Sequence, residues 1–284
     1  MLISCSSVSK RYKDLLALKN VDLDIYRGIT GIVGPNGAGK TTLLNILTGV
    51  LRPTDGEVLV LGQKDPKYVR KKIGVFTDVG SYPTEVTVER YLRFVSEIFG
   101  GNSIELDEIM DLIGLKKVKG KKIGELSLGY KRRLGIAQAI IHRPELIIAD
   151  EPFTQLDPLF KSEIRDLFKI LRDSYGYNFV ISSHDLSDLS KIADRYVIII
   201  DGEVRYNGTL NSVSDVIISS PDFNELSEFL KNNGISHRSY DDKIRISGYS
   251  LRELLKILTE FEGSIFEIRS INIEEILHDI VHDI

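Results

Sequence analysis

The sequence predicts an α/β protein: a parallel core sheet with an antiparallel sheet at its N-terminal side and a helical insert, followed by a small α+β domain. Three observations predict it. Short, wholly apolar runs recur between helical stretches, an alternating apolar pattern opens the chain, and the last part alternates strand-like and helix-like segments in the order of a ferredoxin-like βαββαβ unit. A chain of 284 residues has room for one large domain and a small second one, expected here over residues 1–210 and 215–284.

Apolar alternation from Leu2 to Val8 and from Leu16 to Ile25 reads as two half-exposed strands, hence an antiparallel sheet. The runs Ile32–Val33, Ile73–Phe76, Leu146–Ala149 and Phe179–Ile181 lack polar alternation, the pattern of strands buried on both faces. Between Thr87 and His142 no such run occurs. Val88, Tyr91, Leu92, Val95 and Ile98 recur there at helical spacing, so an all-helical subdomain is expected over about residues 85–143. Tyr196–Ile200 and Val204–Tyr206 flank Asp201-Gly202, a favoured two-residue hairpin turn, and the polar stretch Asn207–Ser214 reads as a linker.

Beyond the linker, Val216–Ser219, Ile235–Tyr240, Lys243–Ser247 and Ser264–Ser270 read as strands, Asp222–Asn232 and Ser250–Phe261 as helices. The final stretch carries Glu274, Glu275, His278, Asp279, His282 and Asp283 opposite Ile273, Ile276, Leu277, Ile280 and Val281. That spacing describes the solvated face of a packed helix better than a metal site.

The formal net charge of -4 provides no electrostatic footprint for nucleic acid, and no nucleic-acid partner is expected. One cysteine, Cys5, cannot form an internal disulfide; in a strand it reads as a buried thiol, which fits a reducing, cytoplasmic setting. No signal segment is expected, and runs such as Tyr196–Ile200 are too short to cross a bilayer, so any membrane role needs another chain to do the spanning.

Ile32–Val33 leads into Gly34-Pro35-Asn36-Gly37-Ala38-Gly39-Lys40-Thr41 and then, past Thr42, into a helical pattern through Leu43, Leu44, Ile46 and Leu47. This strand, loop and helix form a phosphate-binding loop. Glycines let backbone N–H groups close on phosphate oxygens, the helix N-terminus adds its dipole, Lys40 reaches the β/γ phosphates, and Thr41 binds Mg²⁺. The strand Leu146–Ala149 ends in Asp150-Glu151-Pro152. Asp150 is expected in the Mg²⁺ shell, and Glu151 as the base that polarises the attacking water.

Just before that strand stands Leu126-Ser127-Leu128-Gly129-Tyr130-Lys131-Arg132-Arg133-Leu134. It resembles the signature of the ATP-binding cassette (ABC) family. Ser127 can cap a helix while its hydroxyl and the first free N–H groups offer donors to an anion.

The resemblance implies that Ser127 and Gly129 face the γ-phosphate bound by an opposite subunit, that adenine stacks on Tyr12, and that Leu156-Asp157 joins the two sites. It also implies His184 as the switch histidine. Asp78 stands where the family usually has Gln at the metal; Leu128 and Tyr130 replace Gly and Gln, and Gln155 replaces Gly. The Leu-for-Gly signature, with Ser81-Tyr82-Pro83 ahead of Val86-Thr87-Val88, looks most like the exporter branch for drugs, polysaccharides and lipids. Such a resemblance implies an ABC ATPase core that closes head to tail, as a homodimer or with a related ATPase, around two Mg-ATP. It implies separate transmembrane permease subunits, which would hold the chain on the inner face of the cell membrane.

Two alternatives stay open on the sequence: a soluble cassette ATPase acting on ribosomes or DNA, and a regulatory module whose C-terminal unit binds a ligand. His142, His237, His278 and His282 read as surface residues without partners.

Overall fold

The computed structural model describes residues 1–77, 82–99, 103–209, 215–240, 243–247, 249 and 251–270. Asp78, Ser81 and the acidic C-terminal stretch, with Glu274, Glu275, His278, Asp279, His282 and Asp283, lie outside the described residues. The backbone divides into two compact units, Met1–Asn207 and Gly208–Ile284.

The first unit opens with β1 (Ile3–Tyr12) and β2 (Leu15–Ile25), paired antiparallel. Burial along β1 falls on Ile3, Cys5 and Val8, so the period of two slips once. The slip is a β-bulge at Ser7, where φ is 51° and the register breaks; the Ser7 N–H donates to Asp22 Oδ1 at 2.7 Å.

Fully buried β3 (Ile29–Val33) leads through the phosphate loop into α1 (Lys40–Leu47). Then β4 (Asp55–Val60) joins β1 on its free edge, in the order β2-β1-β4. Sequence patterning passed over β4 because Val60 alone is buried in it. Next come α2 (Pro66–Val69) and β5 (Ile73–Phe76).

The helical insert follows as α3 (Val88–Ile98), α4 (Ser103–Leu112), two 3₁₀ turns and α5 (Leu128–Ile140). After it run β6 (Leu146–Ala149), α6 (Pro158–Tyr175), β7 (Phe179–Ser183), α7 (Leu186–Leu189), β8 (Arg195–Ile200) and β9 (Glu203–Thr209). The larger sheet has the order β5-β6-β7-β3-β8-β9, with every pairing from β5 to β8 parallel. Its carboxyl ends at Val33, Ala149 and Ser183 therefore stand side by side, and the chain leaves them as Gly34, Asp150 and His184. The stretch Asn207–Thr209, expected as linker, is the end of β9; residues 210–214 lie outside the described residues.

The second unit holds β10 (Asp215–Ser219), α8 (Phe223–Asn232), β11 (His237–Tyr240), β12 (Lys243–Ser247), α9 (Leu251–Leu258) and β13 (Glu267–Ser270). The sheet order is β11-β12-β10-β13, all antiparallel. Counted within the unit this is second, third, first, fourth, the ferredoxin-like arrangement. Val216, Ile218, Ile244 and Ile246 form a buried cluster with Leu226 and Leu230 of α8 and Leu254 and Leu258 of α9.

Candidate nucleotide and hydrolysis site

The phosphate loop is shaped by two close approaches of bare backbone. A Cβ at Gly34 would run into the carbonyl oxygen of Ile199, and one at Gly39, whose φ is 102°, would lie 2.6 Å from the Ala17 carbonyl oxygen. Only glycine fits at both. Gly39 precedes Lys40, the first residue of α1, whose first turn carries no acid. Lys40 is 6% exposed, and its Nζ donates to the carbonyls of Gly34 at 2.7 Å and Pro35 at 3.0 Å.

Beside the loop lies a cleft of about 710 Å³ whose lining includes Tyr12, Ala17, Asn36, Gly37, Gly39, Lys40, Thr41, Thr42 and Glu151. Tyr12, at the end of β1, is 42% exposed and presents its ring there with Lys10 Nζ 5.4 Å from the ring centre. The structure thus brings the expected aromatic, the loop and the expected base together.

Asp150 and Glu151 leave the end of β6. Asp150 Oδ2 accepts from the Thr41 hydroxyl at 2.9 Å, and its Oδ1 accepts from the Ser182 hydroxyl at 2.6 Å. Glu151 has φ 48°, in the left-handed region, and its N–H donates to Ser182 Oγ at 2.9 Å. The Glu151 Oε2 accepts from the Thr154 hydroxyl at 3.0 Å and lies 2.8 Å from His184 Nδ1, while Oε1 lies 3.7 Å from Lys40 Nζ. A smaller cavity of about 350 Å³ opens on this corner, lined by Asn36, Arg132, Asp150, Glu151, Thr154, Gln155 and His184.

Thr41 and Asp150 are oxygen donors, the set a hard cation takes. No group of three or more His, Cys, Asp and Glu among the described residues could hold a metal. An ion beside Thr41 and Asp150 would thus draw its other ligands from phosphate and water, the usual pattern for Mg²⁺.

The other expected site residues stand apart from the cleft and the cavity. Ser127 holds the N-cap position of α5, but its exposed side chain makes no capping hydrogen bond, which corrects the expected cap. A Cβ at Gly129 would strike the Phe160 ring, so this glycine lets α5 meet α6. Asp157 caps α6, its Oδ1 accepting from the N–H groups of Leu159 and Phe160 at 3.0 Å each.

Two of the four remaining histidines are corrected as well. His142 stacks on Phe99 with centroids 4.1 Å apart, lies within 3.0 Å of the Ile73 carbonyl through Nε2, and has its pKa lowered by burial against the opposing effect of that carbonyl. His237 Nε2 lies 2.8 Å from Ser227 Oγ. Sequence reasoning missed Ser182 and Thr154. For Ser182 a signal existed: a hydroxyl in a strand buried on both faces needs a partner.

A phosphate loop on β3, a carboxylate pair on β6 and a histidine after β7 define a nucleoside-triphosphate hydrolase of the cassette class. The model of the ABC transporter family matches residues 18–154. The uncharacterised ABC transporter ATP-binding protein YcbN of Bacillus subtilis is 38% identical over 208 residues, 72% of this chain and 68% of that protein. The bacitracin transport ATP-binding protein BcrA of Bacillus licheniformis is 34% identical over 208 residues, with the same shares. The dimeric structure of MJ0796, a bacterial ABC transporter cassette, superposes with a TM-score of 0.67 at 28% identity, covering 74% of this chain and 99% of that one. The chain belongs to the ABC transporter family as an ATP-binding subunit. No helix among the described residues is long and apolar enough to cross a membrane.

Proposed function

We propose that the chain hydrolyses Mg-ATP at a site shared by two copies, or by one copy and a related ATPase, and that it drives separate permease subunits in export. In this reading residues 1–210 are the ATPase domain and 215–284 an accessory domain. Gly34, Pro35, Asn36, Gly37, Ala38, Gly39, Lys40, Thr41 and Thr42 cradle the phosphates, and Tyr12 stacks on adenine. Thr41 and Asp150 hold Mg²⁺, with Asp78, outside the described residues, as the third metal residue. The ion neutralises phosphate charge. Ser127 and Gly129 close on the nucleotide of the opposite copy, and Asp157 borders that interface.

The observation that carries the reading is the environment of Glu151. Its Oε2 is steered by Thr154 and His184, and its Oε1 lies within reach of Lys40, so the carboxylate is aimed at the place where a γ-phosphate on the loop would meet water. Export is supported by the likeness to a bacitracin transport protein and by the Leu128 signature. Attachment to the inner face of the cell membrane follows from the permease partners.

Glu151→Gln tests the chemistry: turnover should fall about 10²–10⁴-fold while nucleotide affinity is held. With ATP and Mg²⁺ the variant should elute as a dimer. A variant that still turns over, or that stays a monomer with nucleotide bound, refutes the shared site. Purification of the tagged chain from its own membrane tests the partners.

A further inference from the structure

We propose that Ser182 is a positioning residue for hydrolysis, its one buried hydroxyl setting where both Asp150 and Glu151 stand. The inference rests on the reading of Glu151 as the base. Ser182 is wholly buried on β7, beside Ile32 of β3 and next to β6. Its proton goes to Asp150 Oδ1 at 2.6 Å, a short charge-assisted bond. Its lone pair takes the Glu151 N–H at 2.9 Å. The serine is therefore donor to one acid's side chain and acceptor from the next acid's backbone.

The second bond matters because of the shape of Glu151. A φ of 48° is one that a glutamate rarely adopts, so the turn must be held by its surroundings. Ser182 holds the backbone of that turn; Thr154 and His184 hold the carboxylate at its end. Through Asp150 the same hydroxyl reaches Thr41, so one line of hydrogen bonds runs from the phosphate helix to the base. The neighbouring Ser183 cannot stand in. Its hydroxyl is occupied by Asp185, donating to that carbonyl at 2.9 Å and accepting that N–H at 3.0 Å.

Ala at 182 leaves Asp150 Oδ1 and the Glu151 N–H without this partner while the phosphate loop keeps all of its own contacts. The experiment compares the full chain with Ser182→Ala, Ser182→Cys, Ser182→Thr and Glu151→Gln, measuring kcat, KM, nucleotide affinity and the thermal midpoint. Ser182→Ala should lower kcat about tenfold or more while KM and nucleotide affinity stay within about threefold, since positioning lost from the base lowers kcat alone. Ser182→Cys, near in volume but a weak donor, should fall in the same direction and serves if the alanine variant does not fold. Ser182→Thr, which keeps the hydroxyl, should recover most of the rate.

A Ser182→Ala kcat within about twofold of the parent overturns the assignment. So does a rate loss matched by an equal loss of nucleotide affinity, or one that Ser182→Thr fails to reverse in a folded protein. Should Glu151→Gln itself turn over normally, the base reading falls; with Glu151→Gln inactive and Ser182→Ala normal, only the role of Ser182 does.

Discussion

The two units treat polar side chains in opposite ways. Among its described residues the first buries Thr30, Lys40, Thr48, Ser96, Arg132, Arg165, Ser182, Ser183 and Asp188, and it carries eight residues other than glycine at positive φ, Glu151 and Gln155 among them. Among the described residues of the second unit, Ser220 is the sole buried polar side chain, and no residue other than glycine has positive φ. Buried charge and left-handed backbone both cost free energy, and they persist where the surroundings over-determine them. At the hydrolytic corner the two coincide: Lys40 and Ser182 are buried there, and Glu151 has a φ of 48°. A clamp behind it shows the same economy: Asp188 of α7 accepts from Lys161 at 2.6 Å and Arg165 at 2.8 Å, both on α6. This ties the helix after His184 to the helix that Asp157 caps.

Three substitutions or deletions sharpen that contrast. The largest effect on nucleotide binding is expected at Lys40, where Lys40→Ala removes a buried ammonium that faces the cleft. Nucleotide affinity should fall about 10- to 100-fold, the worth of one strong charge-assisted contact, while the thermal midpoint is held. Titration calorimetry beside a melting curve checks it; a collapse of the fold would make Lys40 a structural residue instead.

Next is Ile244→Ala in β12, a large-to-small change in the wholly apolar cluster. It should destabilise the second unit by about 2–5 kcal/mol in denaturant and leave ATP turnover by the first unchanged. Loss of turnover in step with that unfolding would show that the units are energetically one. The smallest effect is expected from ending the chain after Ser214. Nucleotide affinity should stay within about twofold if the cassette core is complete without the tail, and its collapse would refute the proposed boundary.

Covalent spacing made the phosphate loop and the Asp150-Glu151 pair legible in the sequence, because strand, loop and helix are contiguous and every role falls on a fixed offset. The sheet of the second unit was legible for a similar reason: Val216, Ile218, Ile244 and Ile246 alternate cleanly. What escaped depends on contacts between distant segments. β4 buries one apolar side chain and shows no period, and the β1 bulge interrupts the period the strand would otherwise display. Ser127 has the residue type and position of a cap, yet its hydroxyl makes no cap bond. His142 looks like any lone histidine until Phe99 and Ile73 close around it. Ser182 gains its partners only when β7 is laid beside β6.

The bare approach of Gly34 to the Ile199 carbonyl has a consequence at the level of the gene. Every single-base missense change of a glycine codon installs a Cβ, so all of them meet the same obstacle with their first added atom. Size and polarity of the newcomer are irrelevant there. At Gly37, where a Cβ would meet no protein atom within 4 Å, the objection from the chain itself is a φ of 84°, and aspartate is the single-base newcomer that best tolerates it. Under selection these two glycines of one loop would leave unlike records: an unbroken column at Gly34, and at Gly37 a column with occasional, chemically narrow exceptions.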